Sequence, residues 1–397
     1  MPLPESELGR LLTRLADWLP EELERWLPGW LAGGGVPPAP APPWVPAPDQ
    51  PVADWQRDVA AVRAATDAWA THLTVAVREL AGQLLGDEQA VAARLLNGAA
   101  GSKPAAGGAA RPPAITDAMV PRPGGAVPVR LVRPRAGAAG GAGGAGGAGD
   151  AMPAVVQVHG GGYWMGGGRI QRPVLEPGYQ RLADAVGALV VDVQVRLVPE
   201  HPYPAPIDDV RAVLAWLRRH AELLSVDPER IALCGLSSGA NTVTVAALLD
   251  AAGADAADAA GADGADAADA PASIAALALV VPSLDLTYYG PAHRDPEQRA
   301  ARDAQLAAYL GDLPADDPLA SPALAADVTG LPPTAMVLAE HDDVVGGGPL
   351  LAEKLAAQGV PAETLTVPGL HAVQLPTDQL RADEFLGEFL RRRFERP

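Results

Sequence analysis

The chain has 397 residues, 48% of them hydrophobic and 20% charged, enough for one large core or two modest ones. Its formal charge of −18 argues against a nucleic-acid or anionic-membrane partner. A single cysteine, Cys234, excludes an internal disulfide framework, and no run reaches the ~18 apolar residues of a membrane span.

The N-terminus, "MPLPESELGR", has no basic segment leading into an apolar stretch, so a soluble, cytoplasmic protein without a secretion signal is expected. Residues 1–32 interleave Leu and Trp with charges at helical spacing, and Pro20 divides them into two short helices. The Pro-rich connection 33–51 reads as extended. Two further helices are expected at about 52–81 and 87–97. Six of the eight tryptophans fall within the first 69 residues, which suggests a face that covers something. A separate small helical domain, joined through the flexible "AAGSKPAAGGAAR" (99–111), is the alternative. The expected division is an N-terminal helical cap with Pro/Gly-rich linkers, 1–113, and a catalytic domain, 114–397.

"AITDAMVP" and "AVPVRLVRP" around "RPGG" predict a hairpin. Two Gly/Ala-rich insertions, 135–150 and 250–272, have little means of packing. The acidic part, 250–270, holds six aspartates and no base; without calcium-loop spacing it reads as a solvated loop. Between and after these insertions strands and helices alternate: "AVVQVHG" with a helix near 173–186, "ALVVDVQV" with "APIDDVRAVLAWLRRHAELL", "RIALCGLS" with "SGANTVTVAALLD", then "IAALALVVPSLDL", "TAMVLAEHD" with "GPLLAEKLAAQ", and "AETLTVPG" with a final helix carrying Phe385, Phe389 and Phe394. Such alternation predicts an α/β fold, a mainly parallel sheet with helices on both faces and chemistry at the strands' carboxyl ends.

Two of those junctions carry glycine motifs. "VHGGGYWMGGG" (158–168) spends six of eleven positions on glycine. A phosphate loop would need Lys and a hydroxyl residue next, but Arg169 and Ile170 follow. His, Tyr and Trp among the glycines argue against a bland linker. The remaining reading is an oxyanion hole, backbone N–H groups aimed where negative charge develops. It requires a nucleophile, and "GLSSG" (235–239) supplies one in a strand-turn-helix context. Gly235 and Gly239 permit the sharp turn that lifts Ser237 above the sheet edge. In this arrangement the acid and then the base follow the serine in sequence, which selects Asp342, ending "TAMVLAEHD", and His371, just past "ETLTVPG". Asp343 is the neighbouring alternative to Asp342. His72 and His220 fall in predicted helices, His293 precedes the acid in a polar segment, His341 adjoins Asp342, and His201 in "PEHPYPAP" reads as structural. The N–H groups of Gly161, Gly162 and Ser238 would hold the oxyanion, each worth ~3 kcal/mol of barrier. His159 and Gly160 would brace the loop, and Tyr163, Trp164 and Leu236 would flank the substrate.

"HGGGYWMGG", "VRLVPEHPYPAPIDDV", "GLSSG", "DPLASPALAADVTGLPPTAMVLAEHD" and "VPGLHAV", in this order, make residues 114–394 resemble the hormone-sensitive-lipase-like branch of the α/β-hydrolases. The resemblance implies a carboxylesterase with Ser237, Asp342 and His371 as its triad and the HGGG loop as oxyanion hole. It also implies a helical cap built from the N-terminal segment and the stretch after "PSLDL". The chain departs from the family in Leu236 and Ser238 around the nucleophile and in "DVVGGG" (343–348) after the acid. The expected partner is a small-molecule ester of short to medium acyl chain, with no nucleic acid, no stable membrane insertion, no metal and no organic cofactor. Amide, lactone or carbamate hydrolysis on the same triad, or a non-catalytic small-molecule-binding homologue, are the alternatives.

Overall fold

The computed structural model describes residues 41–97, 115–135, 151–259, 274–371 and 374–395. The helices expected within 1–32, the segment 99–111 and most of the 135–150 insertion lie outside the described residues.

The described part of the chain begins with two helices, α1 (Val52–Leu84) and α2 (Asp87–Leu96). The hairpin β1 (Ile115–Arg122) and β2 (Gly125–Val132) follows. Next come β3 (Met152–Val158), α3 (Gly168–Val186), β4 (Leu189–Val193), α4 (Ala205–Arg219), β5 (Val226–Leu236), α5 (Ser238–Ala259) and β6 (Ala276–Val280). The chain continues with α6 (Pro296–Leu310), β7 (Thr334–His341), α7 (Gly347–Ala357), β8 (Ala362–Leu370) and α8 (Pro376–Phe394).

Among the described residues the eight strands form one sheet in the order β1-β2-β4-β3-β5-β6-β7-β8. Only the β1–β2 and β2–β4 pairs are antiparallel. β3, β4, β6 and the part of β5 from Ile231 to Gly235 are almost wholly buried, because helices cover both faces and leave no solvent side for a polar alternation. One apolar cluster, including Ile207, Leu214 and Leu217 of α4 and Leu351 and Leu355 of α7, fills one face. Tyr179 and Ala183 of α3 and Phe389 and Phe394 of α8 fill the other. The chain leaves β3 toward β4 on one side and returns to β5 on the other. The crevice where the order reverses therefore lies at the carboxyl ends of β3 and β5, where ligands of open parallel sheets bind.

Three expectations need correction. The acidic segment is not a loop throughout: α5 carries its first ten residues, to Ala259, as helix. Alanine favours helix, and Asp250 is clamped by Arg218 through two hydrogen bonds of 3.0 and 2.9 Å. The helix expected from 173 begins at Gly168 and contains Pro173 and Pro177. Packing of Tyr179, Ala183 and Val186 into the core offsets the donors those prolines lack. The helix expected over 205–224 ends at Arg219, His220 closing it through Nδ1 on the Trp216 carbonyl at 2.8 Å, and one further turn follows at Ala221–Leu224.

Arg196 and Asp209 explain much of "VRLVPEHPYPAPIDDV". Arg196 pairs with Asp209 at 3.0 Å and donates to the Ala205 carbonyl, tying the loop after β4 to the first turn of α4. No described helix is long and apolar enough to cross a membrane.

Candidate active site

β5 ends at Leu236 and α5 begins at Ser238, so Ser237 alone makes the turn, with φ at 54°. A left-handed serine persists only where its surroundings over-determine it. Here its N–H donates to the Val280 carbonyl at 2.9 Å and its own carbonyl accepts from Ala240 at 3.0 Å. The flanking glycines answer to close approach. A Cβ on Gly239 would stand 2.3 Å from the His159 carbonyl oxygen, and one on Gly235 2.5 Å from Ala240 Cα. The start of α5 is thereby pressed against the loop leaving β3.

His371 follows β8 directly. Its Nε2 lies 2.7 Å from Ser237 Oγ, and its Nδ1 lies 2.8 Å from Asp342 Oδ2. Asp342 sits one residue past β7, with a fully buried side chain whose other oxygen accepts the Val344 N–H at 2.8 Å. The His371 side chain is 32% exposed, so one end of the line of hydrogen bonds is dry and the middle reaches solvent. Asp343 is turned to a different task, its carbonyl accepting the Gly290 N–H at 3.0 Å.

The glycine loop folds over this serine. Gly161 has φ at 118°, and a side chain there would collide with the Met165 carbonyl. Its own carbonyl accepts the N–H groups of Trp164 and Met165. The N–H groups of Gly161, Gly162 and Ser238 make no hydrogen bond to another described residue. Gly160 packs within reach of Leu236 and Ser237, and Tyr163 donates its N–H to Ser238 Oγ at 3.3 Å. His159 is buried with Nδ1 2.7 Å from the Gly160 carbonyl, an arrangement that puts the ring proton on Nδ1. Burial holds its pKa below the usual 6.5.

These groups open on a cavity of about 430 Å³. Tyr163, Trp164 and Leu236 line it, as does Ser237 itself. The Tyr163 ring stacks on Tyr309 with centroids 3.7 Å apart, and Trp164 meets Trp44 edge-on. The stretch after "PSLDL", expected as part of a cap, supplies one wall, whose residues the sequence did not single out. Arg302, Gln305 and Leu306 of α6 face the cavity, and Gln305 donates to the Gly162 carbonyl at 2.5 Å. The signal for this helix was Asp295-Pro296-Glu297: Asp295 caps α6 by accepting from the N–H groups of Glu297 and Gln298.

Also missed was the hold that α1 has on the loop. Arg63 donates to the Trp164 and Val198 carbonyls at 2.6 and 2.9 Å and pairs with Glu200. Asp67, buried, accepts the Gly166 N–H at 2.9 Å and Gln171 at 3.1 Å. Among the described residues no group of three His, Cys, Asp or Glu side chains is placed to hold a metal ion.

A family model of the α/β-hydrolase fold matches residues 155–374, more than half of the chain. The chain belongs to the α/β-hydrolases. This α/β-hydrolase is 38% identical over 223 residues to carboxylesterase NlhH of Mycobacterium tuberculosis, an alignment that covers 55% of this chain and 65% of that protein. It is 28% identical over 272 residues to an ethyl acetate hydrolase of Pseudomonas putida, covering 67% and 77% of the two chains. It superposes on a hyperthermophilic esterase from the archaeon Pyrobaculum calidifontis with a TM-score of 0.58 and 26% identity, over 80% of this chain and 96% of that one. The resemblance to the hormone-sensitive-lipase-like branch is thereby borne out.

Proposed function

We propose that this α/β-hydrolase is a serine carboxylesterase that cleaves short- to medium-chain acyl esters through an acyl-enzyme on Ser237. The observation that carries the reading is the unbroken line Ser237–His371–Asp342, at 2.7 and 2.8 Å, opening into a cavity beside unpaired backbone N–H groups.

Ser237 Oγ attacks the ester carbonyl while His371 Nε2 takes its proton. Asp342, held by the Val344 N–H, accepts from His371 Nδ1 and stabilises the imidazolium. The carbonyl oxygen becomes an oxyanion held by the N–H groups of Gly161, Gly162 and Ser238, the last at the positive end of the α5 dipole. Collapse of this intermediate breaks the ester C–O bond, and His371 returns the proton to the leaving alkoxide. Water then repeats the attack on the acyl-serine, with His371 again as base. The cavity volume falls within the roughly 300–1,000 Å³ of small-molecule sites, and Trp164, Leu175, Leu236 and Leu306 give it apolar walls for the acyl and alcohol groups.

The N-terminal helices and α6 serve as the cap. Two facts support this over an independent domain. α1 packs against α3 and α2 against α8, and Arg63 and Asp67 reach the glycine loop itself.

Hydrolysis of p-nitrophenyl esters of graded chain length by wild type and Ser237→Ala tests the reading. Wild type should prefer acyl chains of short to medium length, and Ser237→Ala should lose on the order of 10³-fold or more in kcat with its fold intact. Near-normal hydrolysis by Ser237→Ala would refute it.

A further inference from the structure

The cavity walls hold one feature that ester hydrolysis does not use. Among its described lining residues Arg302 alone carries a permanent charge, and none is acidic. In a chain of net charge −18, a cation shares the cavity with the nucleophile.

Arg302 is also short of partners. Its Nε is buried without a hydrogen bond, and one terminal nitrogen reaches the Tyr288 carbonyl only at 3.4 Å. No carboxylate among the described residues lies within ion-pairing distance of it. The acid beside it on α6, Asp303, is taken by the Tyr289 hydroxyl. The guanidinium instead lies 5.3 Å from the Tyr289 ring, on which Arg299 stacks at 4.3 Å, so a second cation adds to the same field. A guanidinium offers five donors in a planar fork, and a half-buried fork with free donors costs stability unless a ligand completes it.

We propose that Arg302 is an anion-recognising residue of the substrate pocket, and that the preferred substrates are esters carrying a free carboxylate beyond the scissile bond. The proposal rests on the esterase reading above and names the substrate class of that site. The carboxylate pairs with the guanidinium, in part shielded from water by Leu306 and Trp164, while the ester carbonyl lies between Ser237 Oγ and the oxyanion donors. Gln305, one turn away on the same helix and bonded to Gly162, fixes α6 relative to the glycine loop. The distance from cation to nucleophile is therefore set by the fold.

The test compares matched acidic and neutral esters. One pair puts the carboxylate on the acyl side, p-nitrophenyl hydrogen glutarate against p-nitrophenyl methyl glutarate. The other puts it on the alcohol side, 4-acetoxybenzoate against its methyl ester. The readout is the ratio of kcat/KM, acid over neutral, in wild type, Arg302→Gln and Arg302→Glu. In one pair the ratio should fall about tenfold in Arg302→Gln and further in Arg302→Glu, mainly through KM, and the wild-type ratio should shrink as salt is raised. Which pair responds tells on which side of the bond the anion sits. A purely structural Arg302, holding Tyr289, would change both members of each pair alike. Ratios unmoved within twofold in both pairs would overturn the anion site while leaving the esterase reading standing. If wild type hydrolysed none of the four esters, the esterase reading would fall and the anion site with it.

Discussion

Asp342 suits the role proposed for it because both of its oxygens are spoken for. One accepts from His371 Nδ1 and the other from the Val344 N–H, inside a side chain with no exposure. Asparagine at this position would present an amide to His371 and favour the wrong ring tautomer. Asp342→Asn is therefore expected to lower kcat by roughly 10⁴-fold, whereas Asp343→Asn should stay within about tenfold of wild type, because Asp343 meets Gly290 through its backbone. Equal damage from the two substitutions would move the acid by one residue. His159 gives a second expectation at this scale. Burial holds its folded pKa below 6.5, so the unfolded chain binds the extra proton first as pH falls. Stability is thus lost as pH drops below about 6.5, by up to ~1.4 kcal/mol per pH unit for one proton. Asp192, pushed up to about 6 by burial, acts in the opposite sense, so the comparison must be between wild type and His159→Asn. The variant should show a shallower fall in urea midpoint from pH 7 to pH 5; parallel slopes would count against a buried neutral His159. That Ser237, Asp342 and His371 would meet could be read from the sequence, because each follows a strand end and the proposed mechanism needs them in that order. Arg302 and Gln305 could not be read in this way, since nothing local marks which helical side chains will face a cavity.

Among the elements, α1 is the one whose role reaches furthest from its own surface. Asp67 satisfies the Gly166 N–H, and Arg63 holds the Trp164 carbonyl, so one helix grips the glycine loop at two points of its "YWMG" turn. Removing Asp67 would orphan a buried N–H, at a cost of about 1–3 kcal/mol, and free the loop to move. A displacement near 1 Å can cost on the order of 10²-fold in rate, so Asp67→Ala should lower kcat by about 10- to 100-fold with a smaller change in KM. Asp67→Asn, which keeps an accepting oxygen, should recover most of that loss. If Ala and Asn behaved alike, or neither mattered, α1 would be packing only. The elements with clear apolar periodicity, α1 and α2, and the hairpin around "RPGG" were readable within a few residues. α5 was read too short because its last turns, rich in Ala and Asp, present no apolar stripe, and their helical state follows from propensity and the Arg218–Asp250 clamp. α6 lies in the stretch after "PSLDL" expected to join the cap, but its start signal, Asp295-Pro296-Glu297, says nothing of which side chains the helix turns to the cavity.

At the scale of the whole molecule, the site exists because the strand order reverses between β3 and β5. That reversal places the loop after β3 and the turn after β5 side by side, and Gly239 lets them touch. β6, β7 and β8 then extend the same parallel edge, so Asp342 and His371 arrive from successive strand ends without any long-range loop. The alternation of strands and helices predicted this parallel frame; the placement of the edge hairpin next to β4 had to come from the structure. The claim on which everything else depends is that this frame activates one serine. Labelling with a p-nitrophenyl alkylphosphonate, followed by peptide mapping by mass spectrometry, tests it most directly. One phosphonyl group per chain, on Ser237, with release of one p-nitrophenol and none in His371→Ala on the same timescale, is the expected result. Stoichiometric labelling of another serine, or no labelling of the folded wild-type protein, would contradict it.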